Sequence, residues 1–270
     1  MPANPAEYVE LSIWQVGMAA ALILVCGLIS LALRLGIGRR LLLAAVRTVV
    51  QLLAIGLVLK WIFTTAHWYY VVALMAAMTF IAGLSAIRRT GRRYRGMWLD
   101  SLAAMGFSSW LMTSLAVVVI IGVPWSKAQY TIPLLGMILG NTLNGISLAV
   151  DRLGEELTHK RDQVETLLAL GATRWESARG AIQESVRTGM TPTINAMMVV
   201  GLVSLPGMMT GQMLGGVSPV QAVMYQIVIM FLICAGTSLG TLLIVLLGYR
   251  RLFTAGHQFL PARLVKRPNT

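Results

Sequence analysis

Ten acidic side chains occur in this 270-residue chain, and where they stand limits its chemistry. Glu7 and Glu10 lie at the start, Asp100 at a helix end and the other seven between Asp151 and Glu184, so none falls inside an apolar run. A proton- or sodium-coupled carrier needs a carboxylate at membrane depth, where burial is costly and tolerated for function. Hard cations likewise prefer anionic oxygen ligands. The polar groups that do lie in apolar runs are amides, hydroxyls and one guanidinium: Arg47 with Gln51, Asn141 with Asn144 in GMILGNTLNGISLAV, and Asn195, Gln226, Thr237 and Ser238. Spacings of three and four put each pair on one helix face. For Asn141 and Asn144 two readings stay open, a polar face lining a pathway or interhelical hydrogen bonding beside Gly140 and Gly145. Arg47 sits near the start of its run and can snorkel toward the interface.

The remaining reactive groups do not assemble into a catalyst. His67, His159 and His257 fall in separate loops, and Cys26 and Cys234 lie in apolar runs where no thiolate is favoured. Metal ligands therefore stay unassigned. Met208, Met209 and Met213 follow the pair Pro206-Gly207, which is expected to kink or break its helix. Broken helices mark substrate paths in transporters, and thioethers suit soft ions. A partner-free channel or carrier for copper(I) is thus an alternative reading, against the commoner use of Met as flexible packing. No Lys follows a Gly anywhere, which excludes the phosphate-binding GxxxxGK[ST] loop. The chain is expected to be no enzyme and to bind no cofactor itself.

Composition decides which elements carry these residues. Hydrophobic residues make up 57% and charged ones 12%, outside the range of soluble domains. At about 20 residues per crossing, the apolar runs divide into seven spans: 12–33, 41–63, 68–87, 101–122, 131–150, 192–215 and 219–248. The expectation is an all-α polytopic membrane protein of about seven helices, one transmembrane domain over residues 1–270. The net charge of +12 could suggest nucleic acid, but its distribution points to a lipid bilayer. With the N-terminus outside, nineteen of 22 basic residues, including Arg88 to Arg95, Arg250, Arg251 and Arg267, fall on the inner face. That bias orients the chain N-terminus out and C-terminus in, across a cytoplasmic (inner) membrane. The start lacks a basic region before its first apolar run and reads as a translocated tail, not a cleavable signal. Ser218-Pro219-Val220-Gln221 reads as a capping box, Thr191-Pro192 as a second helix start and Asp100-Ser101 as a third.

The one sizeable polar insert is residues 151–190, expected on the cytoplasmic side as a helix-turn-helix broken at Gly171-Ala172. Leu153, Leu157, Val164 and Leu168 form one apolar stripe, and Trp175, Ala178, Ile182 and Val186 another. Arg174, Glu176, Arg179, Gln183, Glu184 and Arg187 make the polar face of the second helix. An amphipathic insert of nearly balanced charge suits a protein partner better than a membrane surface, which would favour a basic face.

Residues 165–171, ETLLALG, keep the acid and the Gly of the EAAxxxG coupling motif of ABC transporter permeases but replace both alanines. GMILGNTLNGISLAVDRL, ETLLALGATRWESARGAI and VGLVSLPGMMTGQMLGGVSPVQAVMYQIVIMF resemble the FetB-type permease family of the Fet iron exporter over nearly the whole chain. That resemblance implies a separate FetA-type subunit that binds ATP and Mg, a permease homodimer and export of iron from the cytoplasm, with plant relatives linked to aluminium tolerance. It places the coupling contact on Glu165, Gly171, Ala172, Trp175, Arg179, Ile182 and Glu184. Arg47, Gln51, Asn141, Asn144, Asn195, Pro206, Gly207, Met208, Met209 and Gln226 are the candidate pathway residues.

Overall fold

The computed structural model describes residues 12–65 and 67–266; the tail with Glu7 and Glu10, and Arg267, lie outside the described residues. Nine α-helices occur among them: α1 Ile13–Ala32, α2 Gly38–Thr65, α3 Trp68–Arg88, α4 Met97–Ser114, α5 Ala128–His159, α6 Arg161–Ala169, α7 Arg174–Val199, α8 Gly207–Leu214 and α9 Pro219–Leu252. A π-helical turn, Leu115–Ile120, extends α4. Two short strands, β1 Arg92–Arg93 and β2 Val265–Lys266, pair antiparallel.

Among the described residues six helices are long and apolar enough to cross a membrane: α1, α2, α3, extended α4, α5 and α9. The protein is therefore an all-α, multi-pass membrane protein. Hydrocarbon offers no water to the backbone, so crossing segments satisfy their own N–H and C=O groups as helices. Side-chain hydroxyls fold back in the same way: Thr79 donates to the Met75 carbonyl at 2.8 Å, Thr113 to Ser109 at 2.7 Å and Ser147 to Leu143 at 2.7 Å.

The expected span over 192–215 is not one helix. α7 begins well before it and runs through Pro192, so Thr191-Pro192 opens nothing. A proline inside a membrane helix is tolerated where neighbours re-satisfy the freed carbonyl. The interruption comes later, over residues 200–206, where Gly201 takes φ +84° and α8 restarts after Pro206. Asp100 is also relocated: α4 starts after Gly96 at φ +86°, which places Asp100 in the first turn and not at the cap. Ser218 and Pro219 do begin α9, but the Ser218 side chain makes no cap bond, so the box expected there is not closed.

The chain folds as two compact units, α1 and α2 with residues 212–217, and residues 67–211 with those from 218 onward. In the first, Arg34 at φ 52° and Gly36 at φ 70° turn α1 into α2. Both helices expose large apolar side chains such as Trp14, Leu22, Leu31, Leu53 and Leu57, a surface suited to lipid.

In the second unit helix directions can be read from paired residues. Ser101 donates to the Gly83 carbonyl and Trp110 to Thr79, so α4 runs against α3. Ser147 donates to the Ala86 carbonyl and the Gly91 N–H to Asp151, so α5 runs with α3. The centre is a crossing of small residues. A methyl at Gly145 of α5 would lie 2.6 Å from Thr237 Cγ2 on α9, and one at Gly189 of α7 would lie 2.7 Å from the Gly145 carbonyl. One at Gly240 would meet Thr142 Cγ2 at 2.6 Å. Backbones approach this closely only where side chains are absent or small. With α7 antiparallel to α5 and α9, the ends of α3, α5 and α9 and the starts of α4 and α7 gather at one end of the unit. That end carries Arg88 to Arg95, the polar insert and Arg250 to Arg263; Trp68, Trp125 and Lys127 mark the other.

Candidate coupling site and pathway residues

The turn between α6 and α7 is built twice over. α6 ends in a Schellman motif: the Gly171 N–H bonds the Leu168 carbonyl and the Ala172 N–H the Leu167 carbonyl, each at 3.0 Å, with Gly171 at φ +91°. A left-handed residue at this position is what makes Gly the suitable choice. α7 then opens with a capping box. The Glu176 N–H bonds Thr173 Oγ1 at 3.3 Å, and the Glu176 carboxylate accepts from the Thr173 N–H at 2.7 Å. The Thr173 hydroxyl, donating to the same carboxylate at 2.7 Å, and then the Thr173 N–H hold the Glu176 carboxyl below its ordinary range. The signal T-x-x-E was present in the sequence and was missed there.

Two apolar side chains are left outward on this rigid turn. Leu170 is 80% exposed and Trp175 45% exposed. Trp175 stands edge-on to Tyr249 of α9, ring centroids 5.8 Å apart. Behind it Ala178 and Ile182 are buried, as are Leu153, Leu157 and Val164. Ala172 is half-buried, while Arg179 points outward. Glu165 pairs with Arg161 at 2.7 Å. Glu184 lies 3.9 Å from Arg152, which binds the buried Glu156 at 2.6 Å, and Lys160 holds the same carboxylate. The sequence stripe did not single out Leu170, because a residue at the end of a short helix has no periodic partner to mark it.

The surrounding end is tied by charge. Arg251 of α9 grips Asp100 of α4 with two bonds, Nη2 to Oδ1 at 3.0 Å and Nε to Oδ2 at 3.2 Å. Burial first, and then the Asp100 charge, pushes the neighbouring Tyr94 phenol far above its ordinary value. Arg92 donates to the Gly154 carbonyl and Arg93 to the Ile87 carbonyl, so these two guanidinium groups are committed within the fold.

The candidate pathway residues are dispersed. Arg47 and Gln51 are exposed on α2, in the first unit. In the second, Asn141 and Asn144 share a face of α5 with Met137 and Gly140. Asn144 is exposed and its Oδ1 accepts from Arg89 Nη1 at 2.9 Å; Asn141 is half-buried and donates to the Met137 carbonyl at 2.9 Å. Asn195 is exposed near the end of α7. Pro206 is half-buried and Gly207 exposed, while Met209 is half-buried. Met208 packs against a core cluster that includes Leu134, Ile138, Ile229 and Ile233. Gln226 is buried, away from the exposed Asn144, and its Oε1 has no hydrogen-bond partner among the described residues. No group of three or more His, Cys, Asp or Glu is placed to hold a metal ion among the described residues.

The sequence pattern of UPF0014, described as an uncharacterised protein family, matches residues 13–253. The chain belongs to the UPF0014 family. A UPF0014 membrane protein of Synechocystis, slr1647, is 40% identical over 82% of this chain and 86% of its own. An Escherichia coli relative named "Probable iron export permease protein FetB" is 31% identical over 93% of this chain and 95% of its own. The Arabidopsis thaliana protein ALUMINUM SENSITIVE 3 is 28% identical over 93% of each chain. No solved structure matches. UPF0014 thus joins this chain to bacterial and plant membrane proteins, one of which is named as a permease.

Proposed function

We propose that this chain is the permease subunit of an ABC transporter that exports iron from the cytoplasm. A separate FetA-type subunit supplies ATP hydrolysis, and two permeases together enclose the path. The observation that carries this reading is the α6–α7 turn, braced at both helix ends and presenting Leu170 and Trp175 outward. A rigid, exposed apolar tip beside charged side chains is the anatomy of a small docking surface, with an aromatic anchor at its centre. The sequence itself lacks an ATP-binding loop, which leaves energy to a partner. The name of the Escherichia coli relative supports iron as cargo and export as direction. The gathering of basic segments at the end that bears the turn supports placing that end in the cytoplasm.

The test is co-purification of the ATPase with variants of the turn. Gly171→Val forces a β-branched residue into positive φ, and Trp175→Ala removes the aromatic anchor. Each is expected to cut recovery of the ATPase at least ten-fold, Gly171→Val by distorting the turn and Trp175→Ala by losing an anchor commonly worth about 2 kcal/mol, roughly thirty-fold in affinity, while the permease still inserts. Undiminished recovery and transport in both variants would overturn the docking reading.

A further inference from the structure

Beyond α9 the chain does not trail away. Phe253 leaves the helix in extended geometry, Phe253 bridges to Phe259 and the Thr254 N–H bonds the Gln258 carbonyl at 2.9 Å. The Leu260 N–H returns to the Leu252 carbonyl at 2.9 Å, Arg263 donates to the Arg251 carbonyl at 2.9 Å, and β2 pairs with β1 in the α3–α4 loop. Residues 253–266 therefore form a strap across the end of the second unit. At its bend His257 has φ 57°, a left-handed conformation uncommon outside Gly. Such strain persists only where the surroundings hold it and is a reason to look for a role.

What the bend accomplishes is specific. His257 Nδ1 accepts from the backbone N–H of Arg174 at 2.9 Å. Arg174 is the first residue of α7, and its N–H is one of the groups a helix leaves without an internal partner. The Arg174 side chain reaches back to the strap as well, Nη1 donating to the Thr254 carbonyl at 3.2 Å, and its guanidinium lies over the Tyr249 ring at 5.9 Å. One residue at the base of the exposed turn is thus held by main chain and side chain, from a segment about eighty positions away in sequence.

We propose that His257 is a positioning residue: through its bond to Arg174 the strap locks the α6–α7 turn to the end of α9, so that motion imposed on the turn reaches α9 and α4 undiminished. This rests on the reading of the turn as the ATPase contact. His257 does not itself meet the partner in this scheme. Its loss leaves docking in place and breaks transmission.

Three substitutions separate the acceptor from the backbone strain. His257→Asn keeps an acceptor on Cγ, where Nδ1 stands, and tolerates positive φ. His257→Gly relieves the strain without an acceptor, and His257→Ala does neither. In the permease alone, amide exchange over residues 171–177 is expected to quicken about ten-fold in the Ala and Gly variants, the effect of one lost hydrogen bond, and to stay near the parent rate in Asn. In vesicles holding permease and ATPase, Ala and Gly are expected to recover the ATPase as the parent does but to consume about five-fold more ATP per iron ion moved, the lower end of coupling between sites. Asn restores the parent ratio. An unchanged ratio in Ala and Gly with the ATPase recovered, or an Asn variant as uncoupled as Ala, overturns the positioning role. Failure of the parent itself to recover any ATPase overturns the docking reading instead.

Discussion

Gly189 and Gly180 lie nine residues apart on α7 and give opposite expectations. A methyl at 189 would meet backbone, the Gly145 carbonyl at 2.7 Å, and Ala149 Cβ at 2.9 Å, neither of which can swing aside. Gly189→Ala is expected to destabilise the fold by about 1–3 kcal/mol, the usual cost of overpacking. At Gly180 nothing lies within 4 Å, so Gly180→Ala is expected to gain about 0.5–1 kcal/mol from helix propensity. Thermal melts in detergent check both: Tm should fall for the first and hold or rise for the second. Transport separates the polar and sulfur side chains. Met208→Leu keeps volume in an apolar cluster and should leave iron efflux near the parent, whereas Asn144→Ala strips Arg89 of its acceptor at the exposed face of α5. Efflux from cells expressing each variant with its ATPase decides it, and loss in the methionine variant alone would favour a soft-metal path. The polar residues in apolar runs were legible one by one, but their partners were not. Nothing in Asn144 announces that a guanidinium 55 positions earlier in the chain occupies its oxygen, since such pairing depends on how α3 lies along α5.

Six of the seven expected spans were readable at the scale of elements because lipid imposes a length and a composition that sequence displays directly. The sixth expected span failed for an instructive reason. Pro192 looked like a beginning, yet α7 carries through it, held by close packing of Gly189 and Thr193 within the bundle. The true interruption, residues 200–206, combines Gly201 in left-handed geometry with Pro206 before α8. Leu202 and Val203 project there, 88% and 83% exposed. Removing the proline should let helix grow backward from α8 and stiffen the break. Pro206→Ala is expected to reduce iron transport more than folded yield, measured together as efflux per mole of purified permease. Equal losses in both would assign the break to packing alone. The insert shows the reverse balance. Its turn was legible from Gly171 and its capping box from Thr173 and Glu176, while the return of the strap was not, because a contact between Arg174 and His257 has no local pattern.

Helix directions in the second unit set which of its segments share an end. α3, α5 and α9 run one way and α4 and α7 the other, which sends Lys127 and Arg263 to opposite ends. Single cysteines placed at these two positions, in a chain whose Cys26 and Cys234 are serine, should react with an impermeant reagent from opposite sides of the membrane. Labelling from one side would refute the arrangement. The charge bias expected this separation, and the α3–α4 link with Arg88 to Arg95 and the segment after α9 with Arg263 do share one end of the unit. The lengths of α5 and α9 carry one more consequence. At 32 and 34 residues they extend about 48 and 51 Å, against roughly 30 Å of hydrocarbon. The charged stretch from Asp151 to His159 accounts for about 13 Å of that excess at a rise of 1.5 Å per residue. A headgroup layer is only about 5–7 Å deep. Gly248 packs against Leu153, so Tyr249 and its ring partner Trp175 stand at the foot of that stretch and not at its top, and a protein arriving at the turn is expected to meet lipid headgroups and these side chains together.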